Sequence, residues 1–327
     1  MERKGDFTDF FLNLAEQYLK QHPFPGMICA YAGGSVGRGE ADMYSDLDLN
    51  LFLEGPAPST SENKMLNRHI IQLHAQAFPS VEAVKQDPWA FRFVKEACIV
   101  FDPDGRFREW KEEAILFLDS EEGKQNMLVQ ARAVVDERKR WAEESLRCGQ
   151  TRTAWLAGVS AWMDAAIMYA WFEKGTLATG KLVPAMRELS AYREFVALVP
   201  GIYSDDYNLW ERFQDVSAYR RYFREAGGDE FSCAEVQDLL LERKLERHIR
   251  ERDEEAARWL LLTEAAWLYL ASSGEESLDE QIAQLPLSLQ EKLGKIGFSE
   301  ANADMIRHVS RLSDQVVEAV FQRRKEE

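Results

Sequence analysis

The chain has few cysteines and no uncharged apolar run long enough to span a membrane. Its four cysteines are scattered through 327 residues without a Cys-x-x-Cys spacing, which argues against a zinc site or a disulfide framework. We interpret them as reduced thiols. Because reduced thiols are typical of cytosolic proteins, we expect a cytoplasmic protein. The N-terminus is charged and continues directly into an amphipathic pattern, so we expect neither a signal peptide nor a membrane span.

Basic residues are also scarce. Lys and Arg number 40 against 56 Asp and Glu, which gives a formal net charge of −16 and a pI near 4.9. A field of this sign repels nucleic acid and anionic membranes, and it attracts cations. We therefore expect no nucleic-acid partner and no membrane partner, and a small cationic molecule fits the charge better.

The most informative feature of the sequence is a glycine-serine turn that follows a predicted strand. Residues 27–32 are apolar, short and closed by glycines, which is typical of a buried strand. Gly33 and Gly34 let the backbone turn sharply and approach a ligand closely. Ser35 adds a hydroxyl and backbone N–H groups that can hold phosphate oxygens.

The next predicted strand, residues 46–52, carries two carboxylates. Because residues two apart in a strand point to the same face, Asp46 and Asp48 project together while the intervening leucines enter the core. Such a pair suits Mg²⁺, which takes one or two carboxylates and completes its shell with water and substrate phosphates. The turn and the carboxylate pair are each common alone, and their order within residues 27–52 favours a nucleotide-transfer site.

Residues 28–52 resemble the nucleotidyltransferase superfamily that includes DNA polymerase beta, and most closely its aminoglycoside adenylyltransferases. The resemblance implies an α+β fold, in which a small mixed-sheet catalytic domain precedes an all-α helical bundle. It also implies that Mg²⁺ and ATP bind, and that AMP moves from ATP to a hydroxyl with release of pyrophosphate. The residues that it implies are the phosphate contacts Gly34, Ser35, Arg38 and Ser45 and the metal ligands Asp46 and Asp48. Arg38 could equally be a surface residue of a mobile loop.

The family pattern includes a third carboxylate on a neighbouring strand, and here the sequence departs from it. The candidate strand, residues 69–78, has Gln72 at the expected position, and an amide cannot accept a proton. His74 on the same face could act as the base instead. Glu82 could swing in, or an acid from the helical half could replace the missing group. The last alternative is a protein that binds nucleotide and transfers little.

From about Trp110 onward strand signals stop and the apolar residues recur with a helical period. We place a domain boundary near residue 118, with a catalytic domain at 1–118 and a helical substrate-binding domain at 119–327. The predicted helices are 127–146, 155–174, 183–198, 210–224, 233–271, 278–293 and 299–324.

One acidic residue stands out in the almost wholly apolar helical stretch 154–172. Asp164 either forms a structural ion pair or faces a cleft in which an acceptor binds, because an unpaired buried carboxylate is costly. The segment 175–181 resembles the Gly-Lys segment that ends the matching helix in streptomycin-modifying relatives. That likeness implies that Lys181 reaches the triphosphate.

Together these features predict an adenylyltransferase for a small, cationic acceptor such as an aminoglycoside-like antibiotic, with a role in antibiotic resistance. One alternative is a non-catalytic nucleotide-binding regulatory or interaction protein, which the missing carboxylate favours. Another is an enzyme of toxin-antitoxin type that nucleotidylates a protein. The oligomeric state stays open between a monomer and a homodimer, because the aromatic-rich helical half can bury its surface in either way.

Overall fold

A computed structural model of the chain describes residues 4–55, 59–199, 207–272 and 276–326. The chain forms two compact units, Met1–Gln130 and Ala131–Glu327. The predicted domain boundary near residue 118 stays a prediction.

The described part of the first unit contains five strands in one mixed sheet. They are β1 Met27–Ala32, β2 Leu47–Leu53, β3 Thr60–Leu66, β4 His69–Ala77 and β5 Cys98–Phe101. Their spatial order is β3-β4-β2-β1-β5. β2 runs parallel to β4, and the other neighbouring pairs are antiparallel. The helices of this part are α1 Lys4–Gln21, α2 Gly34–Gly37, α3 Val81–Gln86, a 3-10 helix Ala90–Glu96 and α4 Arg106–Asp119, and α5 Glu121–Arg147 begins here.

One face of this sheet forms the core against α1. The side chains of Leu47, Leu49 and Leu51 on β2 are fully buried there. They pack in one cluster with alternate residues of β4 and with the apolar side of α1, namely Ile71, Leu73, Ala75, Phe11, Leu14 and Tyr18. Because strand side chains alternate between faces, Asp48 and Asn50 lie on the opposite face.

That opposite face is apolar at one end and polar at the other. Its apolar end is covered by α4, where the ring centroids of Tyr31 and Phe107 lie 5.2 Å apart and those of Phe52 and Trp110 lie 5.9 Å apart. The polar end, which includes Asp48, is partly exposed. The alternation within β2 thus places a carboxylate on an accessible part of the sheet.

The described part of the second unit is entirely helical. After the remainder of α5 come α6 Thr151–Lys174, a 3-10 helix Thr179–Lys181, α7 Leu182–Met186, α8 Ser190–Leu198, α9 Leu209–Glu225, α10 Glu235–Glu251, α11 Glu254–Ser272, α12 Leu278–Gln284, α13 Leu287–Ile296 and α14 Ala303–Glu326. The apolar α6 is buried along most of its length, as its sequence predicts. The predicted α+β fold with a helical second half is confirmed. Among the described helices, none has the length and apolar character that crossing a membrane requires.

Three helices predicted as continuous are interrupted, and those predictions were wrong. The predicted helix 183–198 is divided into α7 and α8. The predicted helix 233–271 ends at Glu251 and resumes at Glu254, because Arg252 adopts a left-handed conformation with φ of 58°. The predicted helix 278–293 is divided at Pro286, which has no N–H to continue a helix and here precedes α13.

Candidate functional site

The glycine-serine turn and the Asp48 carboxylate lie at one place. The Gly33 N–H donates to the Asp48 carbonyl oxygen at 2.9 Å, which ties the turn to β2. Gly34 has a φ of +55°, and a Cβ added to it would lie 1.8 Å from Asp48 Oδ2. The Asp48 carboxylate therefore rests directly against the Gly34 backbone, and only glycine leaves room for it.

Asp46 precedes β2 and is almost completely buried, with 8% of its surface exposed. Within the described residues its carboxylate has no hydrogen bond or ion pair, although its charge acts on His74. A carboxylate in this setting is stabilised by a cation. The described part of the chain contains no group of three or more His, Cys, Asp or Glu side chains able to share a metal ion. Mg²⁺ takes one or two carboxylates and completes its shell with water and phosphate oxygens, so the role of Asp46 and Asp48 as its ligands stays a prediction.

A short chain of hydrogen bonds fixes the two serines that the sequence predicts as phosphate contacts. Ser35 Oγ donates to Ser45 Oγ at 3.1 Å, and Ser45 Oγ donates to Asp42 Oδ1 at 3.2 Å. The Asp42 N–H in turn donates to Ser45 Oγ at 3.0 Å. The structure thus brings Ser35 and Ser45 together. Sequence reasoning missed Asp42, although an Asp three residues before a Ser is a recognisable turn pattern.

Arg38 lies in a different electrostatic setting from the one expected of a phosphate contact. Its Nε contacts Glu40 and its Nη1 contacts Glu96, each at 3.0 Å, and 16% of the side chain is exposed. The guanidinium charge is matched by these two carboxylates. To contact a phosphate, Arg38 would have to give up its contacts with Glu40 and Glu96. Its role as a phosphate contact stays a prediction.

On the neighbouring strand β4, Gln72 is the register partner of Asp48. Its Nε2 donates to Asn63 Oδ1 on β3 at 3.5 Å. The β4 position beside Asp48 therefore carries an amide and no carboxylate. The parallel pairing of β2 with β4 is what brings these two residues side by side.

His74 lies two residues further along β4 and pairs in register with Asn50. One of its ring nitrogens, Nδ1, lies 2.9 Å from Ser61 Oγ. Burial lowers the pKa of His74, and the negative charge of Asp46 opposes that effect. The imidazole is consequently neutral at physiological pH, the form that accepts a proton.

The remaining candidates are Glu82 in the first unit and Asp164 and Lys181 in the second. Glu82 on α3 is largely exposed and contacts Lys85 on the same helix at 3.8 Å. In the second unit, Asp164 Oδ2 lies 3.4 Å from Arg138 Nε, which is the ion pair that the sequence left open. Lys181 ends the 3-10 helix Thr179–Lys181 and is exposed. The predicted roles of these residues in catalysis or triphosphate binding stay predictions.

Two further residues that interact with Asp48 were not identified from the sequence. Asn50 donates from Nδ2 to the Asp48 carbonyl oxygen at 3.4 Å, and it continues the alternation of Asp46 and Asp48 along β2. Tyr31 on β1 is buried, and its pKa is raised by burial first and, to a smaller extent, by Cys29 and Asp48. The alternation could have identified Asn50, but Tyr31 required knowledge of the β1–β2 pairing.

Comparison with solved structures finds distant neighbours of this chain. No protein-family model matches the chain, and no curated protein is significantly similar to it. The crystal structure of a nucleotidyltransferase-like protein from Exiguobacterium sibiricum 255-15 aligns with a TM-score of 0.35 and 12% identity, over 86% of this chain and 89% of that one.

Proposed function

We propose that the chain is a nucleotidyltransferase that moves AMP from Mg-ATP to a hydroxyl of a small, cationic acceptor and releases pyrophosphate. The observation that carries this proposal is the Asp48 carboxylate held against the Gly34 backbone. That contact unites a hard oxygen ligand for a metal with a glycine-serine turn suited to phosphate. Asp46, a buried carboxylate just before the same strand, supplies the second ligand.

Each residue of the polar site has a role in this scheme. Asp46 and Asp48 would hold the Mg²⁺ of Mg-ATP, and the bound ion would offset the negative charge of the departing pyrophosphate. Ser35 and Ser45, whose hydroxyls are 3.1 Å apart, bind phosphate oxygens and orient the triphosphate. This orientation presents the α-phosphorus to the acceptor hydroxyl.

His74 is the proposed proton acceptor, in place of the missing third carboxylate. The acceptor oxygen forms a bond to the α-phosphorus, the bond from that phosphorus to the bridging oxygen of the β-phosphate breaks, and the hydroxyl proton passes to His74. Its contact with Ser61 Oγ fixes the ring orientation, and burial keeps the imidazole neutral. A neutral imidazole near a polar strand face is suited to general base catalysis.

The acceptor class follows from charge. A net charge of −16 raises the local concentration of cations around the molecule. Polyamine-like antibiotics such as aminoglycosides carry both the positive charge and the hydroxyls that this reaction needs. We therefore favour an aminoglycoside-like acceptor, modified in the cytoplasm, with antibiotic resistance as the consequence.

One observation favours a second candidate function, that of a nucleotide-binding protein without transferase activity. Gln72, the register partner of Asp48, supplies no carboxylate at the β4 position where the resembled family has one. Such a protein would retain Mg-ATP binding through Asp46 and Asp48. The two functions differ in whether pyrophosphate is released.

The test is pyrophosphate release from Mg-ATP in the presence of a panel of aminoglycosides and lincosamides. We expect release that depends on one compound, that is lost in Asp46→Asn and that falls strongly in His74→Gln. Glu82→Gln is the matched control for the base, because Glu82 contacts Lys85 on an exposed helix. Release that persists in Asp46→Asn would contradict the site. ATP binding without release across the whole panel would support the nucleotide-binding protein.

A further inference from the structure

The second unit contains a cavity of about 760 Å³ that the proposed reaction does not use. One side of it is apolar and is formed by Tyr207, Leu209, Trp210 and Ile249. Trp210 is 41% exposed and Ile249 is 38% exposed, although both are large apolar side chains. A concave surface with an open aromatic wall is the usual form of a small-molecule site.

The cavity lining is also charged, and three of its charged residues are bonded to one another. Arg187 donates from Nη1 and Nη2 to the two carboxylate oxygens of Asp253, and from Nε to Glu255 at 2.6 Å. The Tyr192 hydroxyl also lies 3.4 Å from Glu255. Burial acts to raise the pKa of Asp253, but the contacts with Arg187 outweigh it and the pKa is lowered. Asp253 is therefore ionised, and both acids are in contact with Arg187.

A fourth charge on the cavity wall is also matched. The Glu254 carboxylate lies 3.7 Å from Arg258 Nη2. The Arg258 guanidinium also lies 5.0 Å from the ring centroid of Tyr207 and supports the aromatic wall. The acidic residues of the lining are thus engaged by arginines of the same unit.

Arg252 differs from these groups. It lines the cavity, it is exposed, and within the described residues its side chain forms no ion pair or hydrogen bond. Its position between α10 and α11 places it next to Asp253, whose two carboxylate oxygens accept hydrogen bonds from Arg187. The cavity therefore presents, beside its apolar residues, one guanidinium that has no contact with an acid among the described residues.

We propose that this cavity binds a small aromatic carboxylate. Arg252 receives the carboxylate, because a guanidinium and a carboxylate form paired hydrogen bonds. Trp210 and Ile249 cover the aromatic body, which removes their exposed surface from water. Every residue that lines this site belongs to the second unit, and the proposal does not rest on the proposed transferase chemistry.

The test uses three probes that share an indole ring and differ in charge: indole-3-acetate, indole-3-acetamide and tryptamine. Binding to the full chain is measured by isothermal titration calorimetry. We expect indole-3-acetate to bind roughly tenfold more tightly than the neutral amide, because one charge-assisted hydrogen bond changes the affinity by about this factor. Tryptamine should bind most weakly. Arg252→Gln should remove the preference for the acid over the amide, and Trp210→Leu should weaken both.

Two variants serve as matched controls. Arg250→Gln removes a positive charge from the last turn of α10, and Trp267→Leu removes a tryptophan that is 55% exposed on α11. Neither residue lines the cavity, so both variants should bind indole-3-acetate as the wild type does. Tighter binding of tryptamine than of indole-3-acetate would overturn the proposal, as would an unchanged preference in Arg252→Gln. Lack of saturable binding of all three probes to the wild type would overturn it as well.

Discussion

Gly34 and Gly39 have similar backbone conformations and different surroundings. Their φ angles are +55° and +70°, both in the region that disfavours other residues. A Cβ at Gly34 would lie 1.8 Å from Asp48 Oδ2, whereas a Cβ at Gly39 would meet nothing within 4 Å. The same substitution at the two positions therefore separates backbone strain from the loss of space for the carboxylate.

Gly34→Ala and Gly39→Ala should both lower the free energy of unfolding, by about 1 kcal/mol for the strained φ. Gly34→Ala should in addition displace the Asp48 carboxylate and abolish Mg-dependent ATP binding, while Gly39→Ala should bind as the wild type does. Thermal unfolding and calorimetric titration with Mg-ATP measure the two effects. Equal ATP binding by the two variants would show that the contact between Gly34 and Asp48 is not needed.

The central residues of the candidate site are predictable from sequence because their spacing is local. Gly34 and Ser35 follow one strand, and Asp46 and Asp48 begin the next, so short-range patterns suffice to identify them. The contact between His74 and Ser61 is different, because it joins β4 to β3 and depends on strand register. A residue that acts through a partner on another strand cannot be inferred from the alternation of a single strand.

At the scale of the elements, the junction between α10 and α11 shows how one residue divides a helical pattern. The apolar period continues through residues 233–271, and the sequence therefore predicts one helix. Arg252 interrupts it with a φ of 58°, a conformation usually taken by glycine after a helix. Its N–H still bonds to the Ile249 carbonyl at 3.1 Å and closes the end of α10.

Arg252→Gly should therefore stabilise the protein by about 1 kcal/mol, because glycine adopts a positive φ without strain. Arg250→Gly, in the last turn of α10, should destabilise it by up to about 1 kcal/mol through the loss of helix propensity. Urea unfolding followed by circular dichroism measures both changes. A destabilised Arg252→Gly variant would mean that the arginine side chain stabilises the junction more than its backbone strain costs.

The sequence predicts buried elements better than exposed ones. The predicted strand 27–32 is confirmed in full. Its residues are apolar and bounded by glycines, a pattern typical of a buried strand. β3, Thr60–Leu66, was missed because its residues are mostly polar and exposed, and its place in the sheet comes from pairing with β4. β3 and β4 form a hairpin closed by Asn67 and Arg68, and the alternation of apolar residues does not reveal this pairing.

For the whole molecule, two partly buried histidines set an expected dependence of stability on pH. Burial lowers the pKa of His248 from 6.5, as does Arg247, while Asp253 opposes the shift, and burial likewise lowers the pKa of His74. A histidine with a lowered pKa in the folded state takes up its proton more readily when unfolded. Its stabilising contribution is full above pH 6.5, and it is lost as the pH falls from there through the folded-state pKa.

We expect the urea midpoint of the wild type to fall between about pH 7 and about pH 5, and His248→Phe to reduce that fall. The substitution removes a titrating group whose Nδ1 has no hydrogen-bond partner among the described residues. Part of the pH dependence should remain because of His74. Identical pH profiles for the wild type and His248→Phe would exclude His248 as a source of the acid sensitivity.

The most direct test of the proposed metal site is calorimetric titration of the wild type and of Asp48→Asn with ATP, in the presence of Mg²⁺ and in its absence. We expect the wild type to bind ATP with Mg²⁺ and Asp48→Asn to bind it roughly 10–100-fold more weakly, since asparagine keeps the shape of the side chain and removes the charged ligand. The fold of the variant should be intact by circular dichroism. Binding of Mg-ATP by Asp48→Asn as tight as that of the wild type would contradict the assignment of the metal site.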